Sequence, residues 1–402
     1  MKNLRIALKR ELTENILPFW MDRMPDGDGF LGRIDGLGQA VPDAEKGAIL
    51  NARILWTFSS AYRILGNKEY LEMAGTAYRY IADHFIDREF GGVYWSLNSD
   101  GTPCDTKKQF YAIAFTIYGL AEYYRCCGDK EALSLACSLY RDIEEHSLDR
   151  SRNGYIEACT REWNPIEDMR LSDKDQNDAK TMNTHLHILE AYTALLRVWK
   201  DESLAEAVRN MICIFRDRIV QPDGHLGLFF DEDFNLTSSM VSYGHDIEAS
   251  WLLREAAAVL CEAETSDSAR ELSESVDAMA SRMARAAMEG FTPEGGMEYE
   301  ADIPKGYRNA SRDWWVQAET VVGCSDQYIL TGDEYWKKSA LEEWDFIKKH
   351  IICPDGEWYW SALPDSGGFV PNLTDDRAGF WKCPYHNGRM CMQIIEMFSD
   401  FL

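Results

Sequence analysis

The sequence lacks the features of several large classes of protein. No apolar run reaches the length of about 20 residues that a membrane-spanning helix needs. Its 42 Lys and Arg residues are outnumbered by 67 Asp and Glu residues, which gives a formal net charge of -25. Nucleic acids and anionic membrane surfaces both select for basic patches. We therefore expect neither as a partner, and the charge suits a neutral substrate.

Signals for disulfides, export and multiple domains are also missing. The 11 cysteines are odd in number and scattered, with no C-x-x-C spacing, which is typical of reduced thiols in a cytoplasmic protein. The first 20 residues mix Lys, Arg and Glu with apolar positions, which predicts an amphipathic helix and not a secretory signal. No Pro- or Ser-rich linker divides the chain. We predict a monomer with a single domain spanning residues 1–402.

What the sequence does contain is an internal repeat. A glycine-centred turn, followed by short alternating apolar or aromatic residues, occurs six times at intervals of about 60 to 72 residues. Glycine permits the positive φ of a tight turn, and the alternation after it predicts a short strand or extended loop. The copies are Asp28–Gly32, Gly91–Trp95, Asn153–Ile156, Asp223–Gly227, Gly295–Tyr299 and Asp355–Tyr359.

Two helical patterns lie between successive turns, and short Gly/Asp links of the kind that cap helices join them. The helices that follow each turn are the more uniformly apolar and are predicted at Glu45–Leu65, Lys108–Cys126, Thr181–Trp199, Asp246–Leu260, Trp314–Leu330 and Asn387–Leu402. The amphipathic helices that precede a turn are predicted at Glu69–Phe85, Ala132–His146, Ser203–Val220, Ser268–Met288 and Glu334–Ile351.

Six helical hairpins with two kinds of connection predict an all-α fold, an (α/α)6 barrel. The apolar helices would form the inner ring and the amphipathic helices the outer ring. The long loops, with their short strands, would gather at one end. An open solenoid is the alternative, but it needs polar capping repeats that are not seen.

Unusual polar and aromatic residues recur at one phase of this repeat, the start of each inner helix. In a barrel these positions all point into the mouth of one cavity. His245 and Glu248 belong to this group. They lie three residues apart in Ser242–Trp251 and therefore share one face of their helix. The full set is Arg53, Tyr111, Asn183, His187, His245, Glu248, Trp314, Trp315, Glu319, Trp381 and His386.

The histidine pair at 185 and 187 needs sorting, because on a helix two residues two positions apart point about 200° from each other. Asn183, His187 and Glu190 share a stripe, so we expect His187 to face the cavity and His185 to pack. A metal site is disfavoured, since H-x-H does not converge on a helix and H-E-x-x-H is absent. We expect neither a metal nor a cofactor.

Tryptophans at the cavity mouth suggest a carbohydrate substrate. A sugar ring has an apolar CH face and a polar rim, so Trp314, Trp315 and Trp381 are suited to stack on it, with Arg, Asn, Glu and His around the rim. Buried tryptophans are also ordinary core residues, and which of Trp314 and Trp315 would stack is left open.

Four motifs resemble those of the cellobiose 2-epimerases, in the N-acylglucosamine 2-epimerase superfamily. They are Lys180–Glu190, Ser242–Trp251, Arg312–Glu319 and Trp381–Asn387, and the resemblance spans essentially the whole chain. It implies an (α/α)6 barrel that uses no metal. It also implies reversible conversion of the reducing-end glucose of a β-1,4-linked disaccharide, such as cellobiose or lactose, to mannose.

The resemblance also implies roles for individual residues. His245 and His386 match the acid/base pair, and His187 and Glu248 match supporting polar residues. Arg53, Tyr111 and Asn183 match contacts to the reacting sugar, and Trp315 and Trp381 match stacking residues. Histidine, with an unperturbed pKa near 6.5, suits proton transfer at C2 through an enediolate. We expect Arg53 to stabilise the developing oxygen charge and Glu248 to orient His245.

Other functions remain open at this point. An N-acylglucosamine 2-epimerase or a monosaccharide aldose–ketose isomerase is the nearest alternative. A glycoside hydrolase would need a pair of carboxylates across the cleft, and the repeat supplies histidines more consistently. A sugar-binding protein without activity would leave both histidines without a role.

Overall fold

The computed structural model describes residues 1–399, and its helices alternate along the chain between an outer and an inner ring. The outer helices are α1 (Lys2–Arg10, continuing through Glu11–Ile16 and Leu17–Arg23), α3 (Lys68–Tyr80, continuing through Ile81–Phe85), α5 (Lys130–His146), α7 (Glu202–Ile214, continuing through Phe215–Ile219), α9 (Asp267–Ala287) and α11 (Glu334–His350). The inner helices are α2 (Ala48–Leu65), α4 (Phe110–Cys127), α6 (Met182–Val198), α8 (Tyr243–Ala263), α10 (Trp314–Thr331) and α12 (Tyr385–Met397).

The inner ring is closed. Each inner helix packs against the next, and α12 contacts both α10 and α2. The fold is therefore the predicted all-α (α/α)6 barrel, and the open solenoid is wrong. The inner helices are buried nearly all round, as α2 is without interruption from Ala48 to Ala61. Polar residues on these helices consequently lie inside the barrel or between helices.

The short links between helices contain the residues that cap the end of one helix and the start of the next. Gly66, Gly128 and Gly332 follow inner helices in the left-handed conformation, with φ of 74°, 76° and 70°. The side chains of Asn67, Asp129, Asp201 and Asp333 accept hydrogen bonds from the first backbone N–H groups of the next helix. Each such cap contributes about 1 kcal/mol, so the links fix where each hairpin turns.

Short antiparallel strands join neighbouring loops at the opposite end of the barrel. The strand before each of five inner helices pairs with the loop of the following hairpin, and the bridge from Ile34 to Ala378 joins the first loop to the last. The strand groups are Pro25–Asp26 with Gly29–Phe30, Lys46–Gly47 with Ser96–Leu97, Lys108–Gln109 with Ala158–Cys159, Lys180–Thr181 with Phe229–Phe230, Val241–Ser242 with Glu300–Asp302 and Tyr307–Asn309, and Arg312–Asp313 with Ser361–Asp365 and Gly368–Pro371.

A buried cation stands just before most inner helices and pairs with a carboxylate of the loop region. The pairs are Lys46–Asp26, Lys108–Asp87, Lys180–Asp149, Arg312–Glu298 and Lys382–Glu357, at 2.5 to 3.3 Å. Breaking such a pair leaves an uncompensated buried charge. The fourth hairpin departs from the pattern, because the residue at that position is Val241.

Several predicted boundaries need correction. The outer helices α1, α3 and α7 contain π-helical segments, which hydrophobic periodicity does not reveal. Helix α8 begins at Tyr243, not Asp246, so the Tyr-Gly pair forms its first turn. Helix α12 spans Tyr385–Met397, and the predicted end at residue 402 lies outside the described residues.

All eleven cysteines are unpaired. Among the described helices, none combines the length and the apolar character of a membrane span.

Candidate active site

His245 lies in the first turn of α8, at the loop end of the barrel. Its Nδ1 atom is 2.8 Å from the Oγ atom of Ser242, the residue just before the helix. Its ring lies 4.7 Å from that of Trp315. Burial, and secondarily the charge of His187, lowers the pKa of His245 to about 3. The imidazole is therefore neutral near pH 7. The expectation that Glu248 orients His245 is wrong, because Ser242 holds this ring and Glu248 turns to another partner.

His386 is the second residue of α12. Its Nδ1 atom is 2.7 Å from Oε1 of Glu319 and 3.9 Å from Oε1 of Glu248. Burial lowers the pKa of His386 well below its usual value, with further lowering by Arg53 and Arg389. An ionised Glu319 at this distance favours the tautomer of the neutral ring that carries its proton on Nδ1.

His187 is buried among the predicted site residues. Its Nδ1 atom is 2.9 Å from Oε2 of Glu190, and its ring is in edge contact with Tyr111 at 5.0 Å. His185 packs between elements instead. Its Nδ1 atom donates to the carbonyl of Thr181, and its Nε2 atom accepts the N–H of Tyr155.

The three inward imidazoles share one arrangement. Each is held at Nδ1 by a neighbouring side chain, Ser242, Glu190 or Glu319. Among residues 1–399, no protein group hydrogen-bonds to the Nε2 atom of any of the three. A neutral imidazole held at Nδ1 by a carboxylate presents Nε2 as a proton acceptor.

Arg53 and Tyr111 form the opposite side of the site. The Nη2 atom of Arg53 donates to the hydroxyl of Tyr111 at 3.0 Å, and its guanidinium lies over the rings of Phe115 and Tyr385 at 4.1 and 4.7 Å. Stacking and burial fix the direction of this cation without the neutralising carboxylate that a surface arginine finds. Trp381 completes this side, 6.1 Å from Tyr111, and is partly exposed.

The two adjacent tryptophans have different surroundings. Trp315 contacts the rings of both His245 and His386, at 4.7 and 5.7 Å. Trp314 packs on Trp360 at 4.8 Å and under the ammonium of Lys382. Both indoles are almost fully buried, at 3% and 8% exposure for Trp314 and Trp315. Trp315 is thus the better placed of the two to contact a ligand.

A cavity of about 600 Å³ opens next to His245 and extends under the loops. Asn183 and Ser242 line it together with His245. The Oδ1 atom of Asn183 is buried without a hydrogen-bond partner in the described chain. A buried amide oxygen of this kind is available to a ligand hydroxyl. The far wall carries charged and aromatic groups, including Asp175 and Tyr299.

Arg389, which sequence reasoning missed, binds the carboxylates behind the imidazoles. It is fully buried on α12 and donates to Glu190, Glu248 and Glu319. The signal in the sequence is an arginine one turn after His386 in an apolar helix. Oxygen and nitrogen atoms of Glu248, Glu319 and His386 lie within 4.8 Å of one another, as for a metal ion. The guanidinium of Arg389 already supplies the positive charge at the two carboxylates.

Ten of the eleven predicted site residues are thus linked by contacts, directly or through Glu190 and Arg389, and Asn183 lines the cavity together with His245. The fold, with its cluster of buried histidines and carboxylates, fits an isomerase of the (α/α)6-barrel class. The chain belongs to the N-acylglucosamine 2-epimerase family, whose sequence model matches residues 29–381.

Relatives within this family are similar over their whole length. A cellobiose 2-epimerase of Bacteroides fragilis is 54% identical, with 98% of both chains covered. A cellobiose 2-epimerase of Ruminococcus albus is 41% identical, again over 98% of both chains. Among solved structures, the cellobiose 2-epimerase of Bacillus thermoamylovorans superimposes with a TM-score of 0.91 at 37% identity, covering 98% of this chain and 100% of the other.

Proposed function

We propose that the protein epimerises C2 of the reducing-end glucose of β-1,4-linked disaccharides such as cellobiose and lactose, reversibly giving mannose. The observation that carries the proposal is the pair His245 and His386, both in contact with Trp315 and both with a free Nε2 atom. Similarity along the full chain to cellobiose 2-epimerases supports the same substrate class.

The chemistry needs one proton-transfer group on each face of C2. After ring opening, the C2 proton is acidified by the neighbouring aldehyde, and a base removes it to give an enediolate. An acid on the other face then returns a proton. Each group contributes about 10²- to 10⁴-fold in rate. Arg53, with Tyr111 beside it, is placed to stabilise the enediolate oxygens.

The surroundings of the two imidazoles suggest different tasks when glucose is the substrate. Glu319 offers Nδ1 of His386 a carboxylate, whereas Ser242 offers His245 only a hydroxyl. His386 takes the O1 proton as the ring opens, while the ring oxygen takes a proton from solvent. His245 then removes the C2 proton, and His386 delivers its proton to the opposite face. His245 returns the proton it holds to solvent, and the two roles exchange in the reverse reaction.

Hydrolysis is a poor fit to the same site. A glycosidase needs one carboxylic acid and one carboxylate that both reach the scissile bond. Here Glu190, Glu248 and Glu319 are directed at Arg389, and two of them also hold imidazoles. These three carboxylates therefore lie behind the histidines, and they are not placed to act as a glycosidase pair.

The test is incubation with cellobiose in deuterated water. We expect glucosyl-mannose carrying one deuterium at C2, with His245→Asn and His386→Asn each reducing turnover by at least about 10²-fold. Release of free glucose would mean hydrolysis, and a fructose-ended main product would mean isomerisation. Near-normal turnover in either variant would contradict the assignment of the pair. N-Acetylglucosamine and mannose, each supplied alone, test for the two alternative activities, N-acylglucosamine 2-epimerisation and monosaccharide isomerisation.

A further inference from the structure

Arg389 connects three inner helices through three buried carboxylates. Its Nη1 atom donates to Glu190 on α6, and its Nη2 atom donates to Glu248 on α8 and, at 2.7 Å, to Glu319 on α10. The side chain is 0% exposed, with its guanidinium over the rings of Trp251 and Tyr385 at 4.7 and 4.2 Å. A planar guanidinium with five donors suits this many acceptors, whereas a lysine ammonium does not.

Two of these carboxylates also hold imidazoles. Nδ1 of His187 lies 2.9 Å from Glu190, and Nδ1 of His386 lies 2.7 Å from Glu319. Arg389 itself touches neither histidine ring at hydrogen-bond distance. It can act on the histidines only through Glu190 and Glu319, because it hydrogen-bonds to both carboxylates and so holds them in place. The opposite oxygen of Glu319 accepts the indole N–H of Trp251 at 3.1 Å, so that this carboxylate is held from both sides.

The cluster contains more carboxylates than cations. One guanidinium faces three carboxylates, and the Oε2 atom of Glu248 is buried with no partner in the described chain. Burial, followed by the neighbouring Glu319, raises the pKa of Glu248 to about 7. At Glu190, burial also raises the pKa, but Arg389 and His187 lower it by more, so that it falls to about 2. Glu190 is therefore an anion near pH 7, whereas burial disfavours the ionised form of Glu248.

We propose that Arg389 is a positioning residue of the reaction: it fixes Glu190 and Glu319 so that His187 and His386 both carry their proton on Nδ1 and present Nε2 to the substrate. The expected changes in kcat rest on the proposed function, whereas the expected tautomers of His187 and His386 do not. The other titratable groups around the cluster are Arg53 on α2, Tyr111 and Tyr118 on α4, Tyr385 on α12 and His245 on α8.

The direct test reads the tautomers in the protein without substrate. The chain contains 8 histidines, so ¹⁵N-histidine labelling gives a small set of imidazole signals, which His187→Asn and His386→Asn assign. Proton on Nδ1 in both rings of the wild-type protein is expected. Proton on Nε2 in either ring overturns the proposal, and this outcome needs no Arg389 variant that folds.

The kinetic test compares Arg389 with a matched arginine. Arg63 also binds two carboxylates, Glu122 and Glu396, at the opposite end of the barrel, and neither carboxylate holds a histidine. For Arg389→Met we expect kcat to fall by about 10²-fold with KM within about threefold, because tautomer loss removes an acid/base group without removing a sugar contact. Arg389→Lys should recover only part of the loss, and Arg63→Met should leave kcat unchanged.

A double-variant cycle separates positioning from general destabilisation. If Arg389 acts through Glu190, the combination Glu190→Gln with Arg389→Met should cost little more kcat than the worse single variant. Additive losses would overturn the proposal, as would an Arg389→Met enzyme with unchanged kcat and pH profile. Absence of cellobiose turnover by the wild type would instead reject the proposed function, while the tautomer measurement would still test the Nδ1 protonation on which the role of Arg389 depends.

Discussion

Ser242 is the residue whose side chain holds His245 in the site. Its Oγ atom is 2.8 Å from Nδ1 of the imidazole, and it makes no helix-capping hydrogen bond that would give it a separate structural role. It stands in the one hairpin where the usual buried cation is replaced, by Val241. The fourth hairpin therefore lacks the charge that would disfavour a proton on a nearby imidazole.

Removal of this hydroxyl should affect turnover more than folding. For Ser242→Ala we expect kcat to fall about fivefold, corresponding to one hydrogen bond of about 1 kcal/mol, with little change in KM. Ser242→Thr keeps the hydroxyl and serves as the control. Steady-state kinetics with cellobiose, together with the melting temperature of each variant, makes the comparison. Equal kcat in the alanine and threonine variants would contradict this role.

The sequence indicated which side chains meet, but not which of them pair. The repeat phase grouped Arg53, His187, His245 and His386, because each lies within the first two turns of an inner helix. Helical spacing also suggested that Glu248 serves His245, since three residues share a face. Which partner a carboxylate takes depends on helices distant in sequence, and Arg389, from the last helix, takes Glu248. Spacing along a single helix cannot reveal such a contact.

At the scale of elements, the hairpins could be predicted because local chemistry repeats. Glycine after an inner helix and Asp or Asn before the outer helix are readable caps, and the structure has them at Gly66, Gly128 and Gly332. The π-helical segments at Glu11–Ile16, Ile81–Phe85 and Phe215–Ile219 were not predictable. They depend on how an outer helix packs on its neighbours, and the hydrophobic pattern at these segments is ordinary.

A cap substitution tests the element scale. Gly128 ends α4 at φ 76° with no atom within 4 Å of the position that a Cβ would occupy. Gly128→Ala therefore adds backbone strain without a clash, and we expect about 1 kcal/mol of destabilisation. Gly128→Asn should cost less, because Asn tolerates the left-handed region. Thermal unfolding measures both, and kcat should stay unchanged, since Gly128 lies at the end opposite the site.

For the whole molecule, the closed ring is the property that matters most. The contact of α12 with α2 joins the end of the chain to its beginning, so no hairpin has a free edge. The buried apolar residues form one continuous cluster from Leu4 to Phe398. A single domain remains a prediction, and this closure is the physical reason to expect it. Five of the six inner helices carry a carboxylate or a histidine, and α2 carries the buried Arg53, so the shared interior holds many titratable groups.

Those groups make global stability depend on pH, and His185 isolates one of them. Burial lowers its pKa to about 4 against the opposite effect of the Thr181 carbonyl, and protonation of Nε2 would also break the hydrogen bond from the N–H of Tyr155. The unfolded chain, with a histidine pKa near 6.5, binds more protons than the folded chain between about pH 6.5 and pH 4. Stability from this residue is therefore complete above pH 6.5 and is lost as the pH falls through that window.

Between pH 8 and pH 5 this loss amounts to about 2 kcal/mol for a fully buried histidine. The glutamine in His185→Gln cannot titrate, so this variant should be less stable than the wild type at pH 8. The difference in the free energy of unfolding, followed as the difference in melting temperature, should shrink by this loss at pH 5. His185 touches the loop of the third hairpin and not the cavity, so kcat at pH 8 provides the check that the site is intact. A gap in melting temperature that stays constant from pH 8 to pH 5 would mean that His185 is not held neutral by these two backbone contacts.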